Sequence, residues 1–210
     1  MSTRQEHDLL GYRDIPADAY YGIQTLRAFE NFNVTNVRLH QFSTFIRAFA
    51  NVKKAAAIAN HEVGVLAAEI KDAICSACDE LLANQLHEQF IVDMFQGGAG
   101  TSTNMNANEV IANRALELLG HEKGQYQFVH PNNHVNLSQS TNDAYPTALH
   151  LALDDYCVRL LGKMQILHDS FLNKSKAFGD NLKMRRTHFQ DAVPLAAGQE
   201  FQSFSTPTEK

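Results

Sequence analysis

The sequence predicts an all-α fold, with an irregular, small helical N-terminal domain over residues 1–140. The start of a long-helix bundle follows over residues 141–210. Two observations lead to this prediction. Apolar residues recur at helical spacing from Ser43 onward, and the stretch from Thr141 to about Phe178 keeps that spacing with no proline after Pro146. We therefore expect helices to form most of the core.

The N-terminal region contains the shorter elements. Its first forty residues mix Pro16, Gly22 and several aromatics, which predicts an irregular cap with short helices or strands. Three helices should follow. The first begins at Ser43, the second runs from about Leu66 to Leu86, and the third begins after the glycine loop 97–100 and stops at Gly120.

The segment from Thr141 onward predicts one helix of about 35 residues, longer than the usual 8–20. A helix of this length cannot cover its own apolar stripe, so it needs partner helices. A shorter helix is expected from near Pro194, carrying Leu195, Phe201 and Phe204. Pro207 should interrupt it, and we expect the chain to be a truncated form of a longer protein.

Composition excludes several classes of protein. Hydrophobic residues make up 44% and charged residues 20%, with a net charge of −5 and a pI near 6.0. Nucleic acid is not expected as a partner, because phosphate binding needs clustered Lys and Arg. No run approaches the roughly 20 apolar residues that a membrane span requires. The opening residues lack the apolar core of a secretory signal, so we expect a cytoplasmic protein.

The cysteines and histidines do not predict a metal site. Cys75 and Cys78 have the spacing of a redox or zinc motif, but they lie in a helical pattern without a second ligand pair. We interpret them as small helix residues. His130 and His134 are four residues apart, yet Pro131 between them disfavours a helical metal pair. We expect neither a metal nor a cofactor.

Three polar segments interrupt the helical patterning. The first, residues 96–110, has a glycine loop, Thr101, and asparagines at positions 104, 106 and 108 that are poor helix formers. A glycine loop before a helix brings backbone N–H groups close to an anion. The alternative is an ordinary capped helix with solvated asparagines. The segment has neither the lysine of a phosphate loop nor the spacing of a dinucleotide site.

The second segment places Ser140, Thr141, Asn142 and Asp143 at the start of the long helix. One such residue suffices as an N-cap, so the others are available to bind a carboxylate or an amino group. The third segment places Thr187 and His188 in what we predict to be a connection between helices, where binding residues tend to collect.

These motifs, taken in order, resemble the aspartase (aspartate ammonia-lyase) branch of the aspartase/fumarase superfamily. The resemblance covers nearly the whole chain. Its motifs are residues 18–25, 96–102, 104–106, 139–147 and 186–194. Two details favour aspartase over class II fumarase. The loop reads Gly-Gly-Ala-Gly-Thr-Ser, and Thr141 stands where fumarases usually have a second serine.

The resemblance implies a reaction in which L-aspartate and fumarate plus ammonia interconvert through an aci-carboxylate dianion. It implies that Thr101, Ser140 and Thr141 bind the carboxylate that takes on the doubled charge. Asn142 and His188 match residues around the leaving amino group, and Thr187 lies near the other carboxylate. Of these, we expect His188, Thr101 and Ser140 to be catalytic. Hydroxyl and amide donors suit a developing oxyanion.

The chain departs from the family pattern in two places. Arg185 replaces the usual glycine, and we expect its side chain to crowd a tight turn and shift Thr187 and His188. The family's flexible serine loop, which supplies the base and a carboxylate clamp, does not occur in these 210 residues. The resemblance also implies a homotetramer whose sites combine motifs from three subunits. A regulatory anion site at residues 130–133 is not expected.

Two alternatives stay open alongside the ammonia-lyase. One is a class II fumarase-like hydratase, which adds water in place of ammonia. The other is a non-catalytic, truncated helical module that associates with other subunits. The missing serine loop favours the module, whereas the hydroxyl set at positions 101, 140 and 141 favours descent from an enzyme.

Overall fold

A computed structural model describes residues 2–208, and the chain divides into two compact units, Met1–Leu153 and Asp154–Lys210. The predicted all-α class is confirmed, because helices predominate and the sheets are two small hairpins. The helices are α1 (Ile23–Asn31), α2 (Ser43–Glu62), α3 (Ala68–Leu82), α4 (Thr101–Leu118), α5 (Thr141–Ala177) and α6 (Ala197–Ser205). The strands are β1 (Thr3–Asp8), β2 (Gly11–Pro16), β3 (Leu182–Thr187) and β4 (Gln190–Ala196).

The N-terminal cap of the first unit is an antiparallel hairpin followed by a short helix. Strands β1 and β2 pair from Thr3 with Pro16 to Asp8 with Gly11. The Arg4 guanidinium donates to the backbone carbonyls of Ala19 and Tyr21, both at 2.6 Å, and so ties the hairpin to the segment that leads into α1. The mixed pattern of the first forty residues thus corresponds to a hairpin and one helix.

The core of the first unit is formed by α2, α3 and α4, with α3 packed against both neighbours. Large apolar side chains from the three helices fill it: Phe45, Ile46, Phe49, Ile74, Leu81, Ile111 and Leu116. Each such burial contributes about 2 kcal/mol. Cys75 and Cys78 both lie in α3 as free thiols, and burial raises the pKa of the Cys78 thiol. Helix α4 is buried on nearly all sides.

A carboxylate on α4 caps the N-terminus of α1. Glu109 is 1% exposed, and its two oxygens accept hydrogen bonds from the backbone N–H groups of Gly22, Gln24 and Thr25 at 2.9–3.0 Å. The Thr25 hydroxyl adds a fourth bond at 2.6 Å. Burial raises the pKa of Glu109 to about 7, while the four donors favour the ionised form. The first turn of a helix leaves such N–H groups without partners, so Glu109 fixes where α1 begins.

The second unit contains the remainder of α5, the hairpin β3–β4 and α6. The helix expected from near Pro194 begins instead at Ala197, because Pro194 lies in β4 opposite Met184. Aromatic rings pack α6 onto α5, with Phe171 of α5 and Phe204 of α6 at 5.7 Å between ring centroids. Helix α6 ends at Ser205, and Pro207 follows in a 3₁₀ turn.

The long helix is present with nearly the expected bounds, Thr141–Ala177, and Pro146 lies near its start. Many of its apolar side chains in the second unit are exposed, including Val158, Leu160, Leu161, Ile166 and Leu167. Within residues 2–208, no helix is both long enough and apolar enough to cross a lipid bilayer.

We predict that Glu109→Gln destabilises the protein by about 3 kcal/mol at pH 8, where the native carboxylate is ionised. The amide replaces one acceptor oxygen with an NH₂ group that faces other donors. Urea unfolding followed by circular dichroism measures this difference. Glu62→Gln, at an exposed position at the end of α2, is the control and should change stability by less than about 0.5 kcal/mol. Equal losses for the two variants would contradict the capping role.

Candidate functional site

The glycine loop before α4 packs against the start of α5. Gly98 and Gly100 have positive φ angles of 71° and 85°, which side-chain-bearing residues rarely adopt. A Cβ atom on Gly100 would lie 2.1 Å from the Tyr145 ring. Gln96 completes the turn, since its amide oxygen accepts from the Thr103 N–H at 2.9 Å and its amide nitrogen donates to the Thr103 hydroxyl. The backbone at positions 98 and 100 therefore favours glycine, and at position 100 the Tyr145 ring also excludes a side chain.

Thr101 is the first residue of α4 and is exposed. It lines a cavity of about 590 Å³ together with Gln24, Arg27 and Met105. The Arg27 guanidinium is already paired with the Asp8 carboxylate, at 2.7 and 2.8 Å. Its positive charge is largely neutralised. The hydroxyls of Thr101 and Ser102 and the helix N-terminus favour an anion here, whereas the Glu30 carboxylate in the same lining disfavours one.

Ser140 caps α5. Its backbone carbonyl accepts from the N–H groups of Asp143 and Ala144, and its hydroxyl oxygen accepts from the Asn142 N–H at 3.2 Å. The side chain of Asn142 is exposed and lines a cavity of about 370 Å³ with Gly98, Gly100 and other residues of the glycine loop. One of the four polar residues at this helix start thus serves as the N-cap, and its hydroxyl proton stays available.

A side-chain hydrogen bond joins Thr141 to α4. The Asn104 amide nitrogen donates to the Thr141 hydroxyl oxygen at 2.9 Å. Asn104 lies one turn after Thr101, so this bond brings the starts of α4 and α5 together. The structure therefore places Thr101, Ser140, Thr141 and Asn142 at neighbouring helix ends in the first unit.

A buried lysine supports the segment before Ser140, and sequence reasoning missed it. Lys53 is 0% exposed, and its ammonium donates to the side-chain oxygens of Asn136 at 2.9 Å and Gln139 at 3.0 Å. Burial lowers the pKa of Lys53 to about 7. The signal was its spacing, because Lys53 is four residues after Phe49 and seven after Ile46, on the apolar face of α2.

Thr187 and His188 lie in the second unit, in the connection between α5 and α6, and this connection is the β3–β4 hairpin. Thr187 ends β3 opposite Gln190, and the two-residue turn is His188-Phe189, with φ angles of 50° and 63°. Both values fit the turn that matches the twist of a hairpin. The imidazole and the Thr187 side chain are exposed.

Arg185 does not crowd a tight turn, as the sequence led us to expect. It lies within β3, where the pairing register shifts between Met184 and Arg186. A residue at such a shift bulges out of the ladder, so its exposed side chain has room.

The histidines near Pro131 hold a loop. The backbone N–H of His130 donates to His134 Nδ1 at 2.9 Å, while the His130 ring nitrogen Nδ1 accepts from the backbone N–H groups of Asn132 and Asn133. Burial lowers the pKa of both imidazoles. Nowhere in the described part of the chain do three or more His, Cys, Asp or Glu side chains gather as metal ligands would.

The protein is thus a helical protein whose candidate site consists of hydroxyl and amide donors at the neighbouring N-termini of α4 and α5. A family model described as "Lyase" matches residues 11–210. The chain belongs to this lyase family.

Individual relatives are longer than this chain. An aspartate ammonia-lyase from Helicobacter pylori is 56% identical over 207 residues, covering 99% of this chain and 44% of that protein. The solved structure of "fumarate lyase:delta crystallin" from Brucella melitensis has a TM-score of 0.94 and 53% identity, covering 99% of this chain and 48% of that one. Class II fumarase from Schistosoma mansoni has a TM-score of 0.89 and 36% identity, covering 99% and 44%. The chain thus spans less than half the length of each.

We predict that Gly100→Ala destabilises the protein by about 2 kcal/mol more than Gly120→Ala, as measured by urea unfolding. Both glycines have φ above 80°, so both variants suffer the same backbone strain. Only at position 100 does the added methyl collide with a neighbour, because the space around Gly120 is open to 4 Å. Equal losses would show that the contact with Tyr145 is unimportant.

Proposed function

We propose that the whole protein is an aspartate ammonia-lyase, which interconverts L-aspartate with fumarate and ammonia. The observation that carries the proposal is the hydroxyl pair at the start of α5. The oxygens of Ser140 and Thr141 each accept one hydrogen bond from the protein, which leaves each proton free to be donated to a carboxylate. Relatives named aspartate ammonia-lyase at 52–56% identity support the same reaction.

The chemistry explains why hydroxyls are suitable. Removal of the proton next to a carboxylate doubles the negative charge on that carboxylate. Preorganised donors that strengthen their bonds as this charge develops lower the barrier. We assign this role to Thr101, Ser140 and Thr141. Because their hydroxyls are neutral, they do not hold the ground-state carboxylate in an over-stable ion pair.

The other assigned residues surround the remaining groups of the substrate. We propose that Asn142 and His188 contact the leaving amino group and that Thr187 lies near the second carboxylate. His188 is at an exposed hairpin tip, which makes its imidazole accessible to a ligand or to another subunit.

We further propose that the protein is a homo-oligomer, a tetramer in its full-length form, and that it works in the cytoplasm. The exposed apolar side chains along α5 support association, because a surface of that kind is normally covered by a partner. The occupant we propose is a second copy of the chain. The free thiols of Cys75, Cys78 and Cys157 fit a reducing compartment.

Fumarase activity is the second candidate. The observation that favours it is the 36% identity to a class II fumarase with a TM-score of 0.89. Aspartate remains the better substrate candidate because identity to the aspartate ammonia-lyases is higher and Thr141 replaces the serine usual in fumarases.

We predict the substrate preference of an extended chain, made of residues 1–205 continued by the corresponding C-terminal part of the H. pylori relative. Fumarate should form readily from L-aspartate and little from malate. Ultraviolet absorbance of fumarate measures both reactions. The 210-residue chain alone is the control and should form none, since the family's base belongs to a loop outside these residues. Malate turnover equal to that of aspartate would establish the fumarase alternative.

We also predict that Thr101→Ala and Ser140→Ala each lower kcat of the extended chain by on the order of 10²-fold, as the loss of an oxyanion donor does. The fold should persist, because the loss of the cap at Ser140 costs only about 1 kcal/mol. Ser138→Ala, at an exposed position just before the helix, is the control and should leave kcat unchanged. Near-normal turnover in both site variants would remove the assigned role.

A further inference from the structure

We propose that Lys53, Asn136 and Asn104 form a hydrogen-bond relay that sets the direction of the Thr141 hydroxyl, so that its proton is available only to a ligand. The three are positioning residues, since each acts through the next. The effect on turnover rests on the proposed function, whereas the direction of the hydroxyl is a property of the chain itself.

The relay begins at Lys53, whose ammonium can only donate. Its partner on Asn136 must therefore be the amide oxygen, at 2.9 Å. The other end of the Asn136 amide faces the backbone carbonyl of Gln139 at 3.0 Å, and a carbonyl can only accept. Two partners of fixed polarity thus determine which end of the Asn136 amide is oxygen.

Gln139 repeats the same logic. Its amide nitrogen faces two backbone carbonyls, those of Val135 at 2.9 Å and Leu137 at 3.2 Å, so its oxygen must face Lys53. The Lys53 ammonium therefore lies between two amide oxygens whose identities are fixed independently of each other.

Asn104 connects Asn136 to Thr141 at the candidate site. The Asn136 oxygen is an acceptor, so the atom of Asn104 that approaches it at 3.0 Å must be the amide nitrogen. The same nitrogen lies 2.9 Å from the Thr141 hydroxyl oxygen. Asn104 Oδ1 is buried and has no hydrogen-bond partner among the described residues, which is unfavourable. The two hydrogen bonds that the Asn104 amide nitrogen donates, to Asn136 and Thr141, therefore fix the orientation of this amide although its oxygen is left without a partner.

The consequence falls on Thr141. A hydroxyl has one proton and two lone pairs, and one lone pair receives the Asn104 N–H. The proton cannot point at that nitrogen, so it is directed elsewhere and can be donated to a carboxylate. Ser140 reaches the same state by a local route, because its oxygen accepts from the Asn142 N–H. A rotating hydroxyl on the protein surface is thereby converted into a preorganised donor.

A double-mutant cycle in the extended chain tests the relay. Asn104→Asp offers Thr141 an acceptor and draws its proton inward, so kcat should fall by about 10²-fold, at least as far as in Thr141→Val. In the Thr141→Val background, Asn104→Asp should change kcat by less than about two-fold, since it acts only through Thr141. Independent losses that multiply would overturn the relay.

Asn106→Asp is the matched control. Asn106 is also buried on α4, also has an oxygen without a hydrogen-bond partner among the described residues, and donates to the Gln89 carbonyl at 3.0 Å, with no bond to Thr141. Compared at equal folded fraction, its effect on kcat should be small and the same with and without Thr141→Val. An effect as large as that of Asn104→Asp would attribute both losses to general disruption of α4 and overturn the proposal.

Neutron diffraction from deuterated crystals of the unaltered protein reads the relay without turnover. Deuterons of the Asn104 amide should lie toward Thr141 Oγ1, and the Thr141 deuteron should point away from Asn104. An Asn104 oxygen facing Thr141 would overturn the inference even if aspartate is deaminated. The expected map from a protein whose extended chain forms no fumarate would refute the proposed function alone.

Discussion

Burial of α4 on nearly all sides is the constraint on which the first unit depends. A helix in that position is normally apolar, yet this one carries several amides and a carboxylate, and their N–H groups and carboxylate oxygens need hydrogen-bond partners away from water. The partners are the backbones of surrounding segments. Glu109 holds the start of α1, Asn113 holds the carbonyl of Tyr20 at 2.8 Å, and Asn106 holds that of Gln89. Irregular segments are fixed because a buried polar group would otherwise lack a partner.

Buried polar side chains also hold the candidate site in place. Residues 136–139 lie outside the helices and strands, yet Lys53 and Asn60 of α2 bind them from one side, through the side chains of Asn136 and Gln139 and the carbonyl of residue 137. Asn104 of α4 holds Asn136 from the other. The hydroxyls at 140 and 141 directly follow this segment. A donor placed to within a few tenths of an ångström needs such support, since a loosely held hydroxyl reorganises during reaction and loses its advantage over water.

The sequence predicted the helices well and the second hairpin poorly, for physical reasons. Apolar periodicity follows from burying one face, so α2 to α5 were predicted nearly to their bounds. The turn of the β3–β4 hairpin is His188-Phe189, which lacks the Asn-Gly or Asp-Gly sequence typical of such turns. Pro194 misled the prediction as well, because proline is common in the first turn of a helix. The residues from Thr101 to Asn142 were recognisable as motifs. Lys53 was not recognised, because a charged residue on an apolar face only looks like a break in the apolar pattern. Its hydrogen-bond acceptors, Asn136 and Gln139, are more than 80 residues away in the sequence.

Lys53 also raises the question of whether titration would undo the arrangement beneath Thr141. Its folded pKa of about 7 is below the roughly 10.4 of an unfolded lysine, so the unfolded chain binds more protons between these values. Stability attributable to this group therefore rises with pH across that window and is lowest below pH 7, where the buried ammonium is charged. A neutral amine keeps two N–H donors, and Lys53 faces two acceptors, Asn136 and Gln139. Loss of the proton thus changes how much Lys53 stabilises the fold without changing the direction in which it orients Asn136, Asn104 and the Thr141 hydroxyl.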